Sequence, residues 1–226
     1  MSEIPLNIQT VLFSIREYES RYHRQPGSVQ LLLASKGQTV ANILDAYHAG
    51  QIHFGENYLQ EALEKIAALT DKNIEWHFIG AIQSNKTKLI AENFSWVQSV
   101  DDVKIAKRLN DQRPAHLPPL NICLQVNVSE EQTKSGVAID AVPNLAKECL
   151  TLQRLRLRGL MTIPAPKNIF REQRAEFQKL RLLFENLSEK YDFLDTLSMG
   201  MSDDMEAAIA EGSSMVRIGT KIFGRR

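Results

Sequence analysis

Two places in this chain carry side chains suited to chemistry. The apolar run Leu31-Leu32-Leu33-Ala34 leads directly into Ser35 and Lys36, and near the other end Met215-Val216-Arg217-Ile218 leads into Gly219 and Thr220. A lysine at a strand terminus beside a pocket can have its pKa lowered, and the neutral amine then attacks a carbonyl. A Gly-Thr pair after a strand presents backbone N–H groups and a hydroxyl to a phosphate. A small molecule carrying both an aldehyde and a phosphate would use both places. Each place alone also has a plainer reading, as a solvated surface lysine and a turn glycine.

These residues need a frame that brings distant segments together. Short apolar runs at Gln30–Ala34, His53–Gly55, Glu75–Ile79, Trp96–Val100, Asn121–Val126, Arg158–Met161, Thr196–Leu197 and Met215–Ile218 predict strands. Amphipathic segments between them predict helices over Val40–Ala49, Tyr58–Leu69, Lys86–Glu92, Val103–Asn110, Val142–Leu150, Phe170–Tyr191 and Met205–Glu211. A further stripe, Ile8, Val11, Leu12, Ile15 and Tyr18, predicts a leading helix that Gln25-Pro26-Gly27 ends. Strict alternation implies parallel strands with right-handed crossovers, and eight such units close into a single α/β domain, a (β/α)8 TIM barrel over residues 1–226. An open doubly wound sheet competes, but no Gly-x-Gly-x-x-Gly follows the first strand.

In such a barrel the carboxyl ends of the strands converge on one mouth. That rule selects Lys36, Gly55-Glu56-Asn57, His77 with the loop Gly80–Asn85, Asn127, Met161 and Thr162, the segment Ser198-Met199-Gly200-Met201-Ser202, and Gly219-Thr220. Phosphate sites in barrels are often built by the loops after strands seven and eight, so the anion is expected against Ser198, Met199, Gly200, Gly219 and Thr220. Ser202 is expected to cap a helix beginning at Asp203, where Asp203 and Asp204 complement the helix dipole and would repel a phosphate. Arg217 shares the strand face of Gly219, and an arginine facing into a barrel is costly unless paired. His77 also reads as a satisfied structural residue, and Asn57 as the cap of the following helix.

Composition excludes several classes. Lysine plus arginine and aspartate plus glutamate each number 27, a formal net charge of zero, so no global field draws the chain to nucleic acid or to an anionic membrane. The alternation Arg154-Leu155-Arg156-Leu157-Arg158 reads as a half-buried strand edge. Cys123 and Cys149 lie far apart and read as reduced thiols. The histidines at 23, 48, 53, 77 and 116 show no paired ligand spacing, so no metal is expected. Without a secretory pattern or an apolar run of bilayer length, a cytoplasmic protein is the default expectation.

With these residues in view, the chain resembles the pyridoxal phosphate homeostasis protein family, single-barrel relatives of the alanine racemase amino-terminal domain. The resemblance is carried by Ala34-Ser35-Lys36, Phe54-Gly55-Glu56-Asn57-Tyr58, Trp76-His77-Phe78-Ile79-Gly80, Gln83-Ser84-Asn85-Lys86, Lys134-Ser135-Gly136, Arg158-Gly159-Leu160-Met161, Leu197 to Met205 and Val216 to Thr220. It implies a barrel that binds pyridoxal 5'-phosphate (PLP) as a Schiff base on Lys36. The phosphate would be held by the serine, glycine and threonine positions above, and Arg217 would lie near the pyridine nitrogen. An arginine there disfavours protonation of the ring and restrains carbanion chemistry. The implied role is supply of the cofactor by storage, buffering or delivery to PLP-dependent apoenzymes, with indirect effects on amino-acid and keto-acid balance and without a robust reaction. One departure is Gly37-Gln38, where a threonine and a basic residue are more usual.

Two other functions compete. A PLP-dependent amino-acid racemase needs acid and base groups on opposite faces of the substrate, one of them from a second domain for which this sequence leaves no residues after its eighth strand. A cofactor-free enzyme forming a lysine Schiff base with a sugar phosphate would need the same amine and the same anion cradle.

Overall fold

The computed structural model describes residues 2–129 and 135–224. Lys134, one of the residues carrying the family resemblance, lies outside them. Among the described residues eight parallel strands close into a barrel in simple sequential order. They are β1 (Gln30–Ala34), β2 (His53–Glu56), β3 (Glu75–Phe78), β4 (Trp96–Val100), β5 (Leu120–Gln125), β6 (Leu155–Met161), β7 (Thr196–Ser198) and β8 (Met215–Ile218). The leading helix α1 (Ile4–Arg21) is followed by crossover helices α2 (Val40–His48), α3 (Leu59–Ala68), α4 (Thr87–Asn93), α5 (Val103–Gln112), α6 (Val142–Leu150), α7 (Phe170–Ser188) and α8 (Met205–Ala210). A short α9 (Thr220–Phe223) follows β8.

Local chemistry explains the boundaries. Thr39 caps α2 by accepting from the Asn42 N–H at 3.2 Å, and Asp102 caps α5 by accepting from the Lys104 N–H at 2.6 Å. α1 starts four residues before the predicted Ile8, because Ile4 extends the same buried stripe and Pro5 suits a first helical turn. β6 starts at Leu155, so the arginine-leucine alternation is strand. It is no edge, since β6 pairs with both β5 and β7. Leu155 and Leu157 are buried there while Arg156 faces solvent.

Period-two alternation sends each strand's residues to two different layers. Leu31, Leu33, Phe54, Val97, Ile122, Leu160, Val216 and Ile218 join the main core between strands and helices. The barrel interior is mixed. Leu32, Ile79 and Met215 form one small apolar cluster, and Trp96, Cys123 and Met161 form another. Polar side chains run through this interior. Arg217 Nη1 donates to Ser198 Oγ (2.8 Å), which donates to Gln98 Oε1 (2.7 Å). Gln98 Nε2 faces His77 Nδ1 at 3.0 Å, and His77 Nε2 faces His53 Nδ1 at 3.4 Å. This chain joins the two ends of the barrel.

Both cysteines are buried free thiols, and burial pushes each up to about 12. No helix among the described residues is long and apolar enough to cross a membrane.

Candidate functional site

The site is built at the carboxyl ends of the strands. β1 ends at Ala34, and the chain turns through Ser35 to Gln38, whose N–H donates to the Ser35 carbonyl at 3.0 Å. Gly37 takes φ +71°, a left-handed conformation that lets the turn close. Its N–H donates to Glu61 Oε1. Gly37 thus makes a tight turn that presents Lys36, an exposed residue, at the mouth.

A buried ionic network sits beneath that turn. Glu56, at the end of β2, accepts from Ser35 Oγ (2.6 Å) and from Lys65 Nζ (2.7 Å). Lys65 also donates to the Ser35 carbonyl at 2.8 Å. Burial pushes the Glu56 carboxyl up, and the bonds from Lys65 and Ser35 pull it back.

Lys36, Asn57, Arg217, Gly219 and Thr220 line one cavity of about 480 Å³. This is an ordinary size for a small-molecule site, about 300–1,000 Å³. Asn57 also lines this cavity, and its Oδ1 is buried with no hydrogen-bond partner. Gly80 makes that placement possible, since a Cβ there would collide with the Asn57 carbonyl. α9 begins at Thr220, so its leading N–H groups lack intrahelical acceptors at the cavity edge. Asn7 of α1 holds α9 in place by donating to the Ile222 carbonyl at 2.9 Å.

Arg217 is buried, and two of its five N–H groups are engaged within the barrel. Nη1 bonds Ser198 Oγ and Nη2 bonds the Thr162 carbonyl, each at 2.8 Å. Burial pulls the guanidinium down to about 10, opposed by the Asp204 carboxylate, so it stays charged at neutral pH.

Several predicted residues do not reach this cavity. His77 is fully buried, because it lies one step of the strand alternation below the mouth; Ile79 takes the mouth position. Its ring stacks on Trp96 with centroids 5.1 Å apart, and burial with His53 alongside pushes it well below the usual histidine range. Ser198 is buried with its hydroxyl engaged by Gln98 and Arg217. Met199 and Gly200 lie behind the wall, where the Met199 N–H bonds the Met215 carbonyl and the Gly200 carbonyl accepts from the Arg217 N–H. The Ser198–Gly200 segment therefore supports Arg217 and β8 and does not line the cavity.

Ser202 is a further correction. α8 begins at Met205 with Asp204 in the cap position, and the Asp204 carboxylate accepts from the Met201 N–H at 2.6 Å. Ser202 lines the cavity instead. Met201, named with Ser202 in the loop after the seventh strand, lines it as well. Ile79 and Ile163 also line it and were not singled out from sequence; for Ile79 the strand alternation through Glu75 and His77 carried the signal, and for Ile163 nothing local did.

The chain matches the family described as alanine racemase, N-terminal domain, over residues 32–226. The pyridoxal phosphate homeostasis protein of Pseudomonas aeruginosa is 56% identical over 226 residues, covering 100% of this chain and 97% of the relative. That of Escherichia coli K12 is 48% identical over 229 residues, covering 100% and 98%. The structure of PipY from Synechococcus elongatus with PLP bound superimposes with a TM-score of 0.80 at 38% identity, covering 93% of this chain and 100% of PipY.

Proposed function

The chain belongs to the pyridoxal phosphate homeostasis protein family, built on the alanine racemase N-terminal barrel, and from that premise we propose that it holds PLP in the carboxyl-end cavity. Lys36 is the point of covalent attachment. The observation that carries the reading is the convergence of an amine, a carboxamide, a guanidinium and a Gly-Thr cradle on one cavity of about 480 Å³.

The donor set fits the cofactor. The Lys36 amine suits its aldehyde, and the Thr220 hydroxyl with the N–H groups of the Gly219-Thr220 turn suits its phosphate. Asn57 lines the wall beside the ring substituents, and Arg217 offers N–H groups to the ring nitrogen. When bound, PLP supplies an electron-withdrawing ring that stabilises a carbanion on an attached amino acid. Arg217, charged at neutral pH and incapable of accepting a proton, favours a neutral ring nitrogen and restrains that chemistry. The reading is therefore a carrier that stores, buffers or delivers the cofactor, with PLP-dependent apoenzymes as recipients, rather than a racemase. Amino-acid and keto-acid balance would follow the supply.

The test is a visible spectrum of the protein reconstituted with PLP, then borohydride reduction and peptide mapping. A reducible imine band is expected, with the label on Lys36 and no label in Lys36→Ala. A reducible bond that survives in that variant removes Lys36 from the role. Absence of any band overturns the PLP reading and favours the cofactor-free lysine enzyme.

A further inference from the structure

At the opposite end of the barrel a second cavity, of about 580 Å³, is lined by Gln30, His53, Trp96, Thr196 and Met215, the first residues of their strands, with Arg158 beside them. From the cavity wall at His53 of β2 the parallel register leads to Glu75 of β3 opposite it, and the strand alternation sets His77 on the same face as Glu75. The imidazole nitrogens of His53 and His77 and a carboxylate oxygen of Glu75 all lie within 4.8 Å of one another. We propose that His53, Glu75 and His77 form a site for a divalent transition metal, zinc best of all, with a fourth position left for water or a small anion.

The donor set is the first argument. Two neutral imidazoles and a carboxylate suit zinc, and three protein ligands with an open position is the arrangement zinc takes where it also binds water or a small anion. Geometry is the second. Zinc–ligand distances of about 2.0–2.1 Å in a tetrahedron separate neighbouring donor atoms by roughly 3.3–3.4 Å. Here His77 Nε2 and His53 Nδ1 are 3.4 Å apart, and His53 Nδ1 and Glu75 Oε2 are 3.5 Å apart. Both separations are long for hydrogen bonds, which favour about 2.7–3.2 Å for nitrogen donors. The Glu75 side chain is 45% exposed, so it has room to close the remaining edge, and the Trp96 indole N–H holds its Oε2 at 3.2 Å.

The hydrogen-bond network fits as well. Without metal, Gln98 Oε1 accepts from Ser198, so Gln98 Nε2 donates to His77 Nδ1 and the His77 proton sits on Nε2. Metal on Nε2 moves that proton to Nδ1 and turns the Gln98 carboxamide to accept it, which is the usual support for a ligating histidine. The two arrangements differ in an observable tautomer.

The full chain, stripped with a chelator, is titrated with Co²⁺ and then Zn²⁺. One equivalent of Co²⁺ should produce the intense visible bands of four-coordinate cobalt, and Zn²⁺ should displace them. His53→Gln and Glu75→Gln, both at a partly exposed strand start, should each weaken uptake by at least about tenfold. Nitrogen-15 NMR should show the His77 proton move from Nε2 to Nδ1 as zinc is added. Absence of the cobalt bands, uptake unchanged in both variants, or an unmoved His77 tautomer would each overturn the site. None of these readouts involves PLP, so the result stands apart from the reading at the other mouth.

Discussion

At the residue scale, the cavity separates groups that would touch a ligand from groups that hold them. Thr220 lines the cavity, whereas Ser198 is buried and spends its hydroxyl on Gln98 and Arg217. Thr220→Ala should weaken PLP binding by about 1 kcal/mol, roughly fivefold, with little change in folding stability. Ser198→Ala removes a partner from a buried guanidinium and should lower stability by about 1–3 kcal/mol. Equilibrium titration with PLP and urea unfolding of both variants separate the two roles. Equal loss of affinity without loss of stability in Ser198→Ala would return that hydroxyl to the phosphate.

At the scale of elements, the Lys36 turn depends on a helix it does not belong to. Lys65 on α3 reaches under the barrel rim to Glu56 and the Ser35 carbonyl, and its side chain is only 5% exposed. Lys65→Met strips the counter-ion from a buried carboxylate and should cost about 3–5 kcal/mol, with the double variant Glu56→Gln/Lys65→Met recovering part of the loss. A loss below about 1 kcal/mol in urea unfolding would mean the pair contributes no more than a surface ion pair.

The return from α1 to β1 rests on another buried carboxylate. Glu19 accepts from the Gly27 and Val29 N–H groups at 3.0 and 2.8 Å and from Arg16 at 2.6 Å. Burial pushes its carboxyl up, but Arg16 and the two N–H groups together hold it below the usual range. The native state therefore binds fewer protons there than the unfolded chain, and stability rises with pH across that window. Glu19's contribution is complete above the unfolded carboxylate value, about pH 4, and is lost as pH falls through the folded value. Glu19→Gln should thus be less stable than the parent at neutral pH, with the gap closing in acid. A gap that stays constant down to strong acid would contradict the assignment.

At the scale of the whole molecule, the amino-acid sequence by itself determined the elements, the barrel and the two ends of the carboxyl-end cavity. Apolar runs at period two alternate with stripes at helical period, and this is local information that survives reading along the chain; hence β1, β4 and β8 match their predicted bounds. That Lys36 and Gly219-Thr220 stand at this cavity was legible for the same reason, since a strand's carboxyl end is marked by where its apolar run stops. Depth within the barrel was decided only by the tertiary structure. His77 and Ser198 stand at strand ends in sequence, yet the closed barrel buries both in its interior, where side chains from different strands fill shared layers. Gln98 drew no notice in sequence and links them there. The meeting of His53, Glu75 and His77 likewise depends on the register between β2 and β3, which sequence spacing does not record. Alternation along a strand assigns each side chain to a face; only closure of the sheet sets its height and its neighbours.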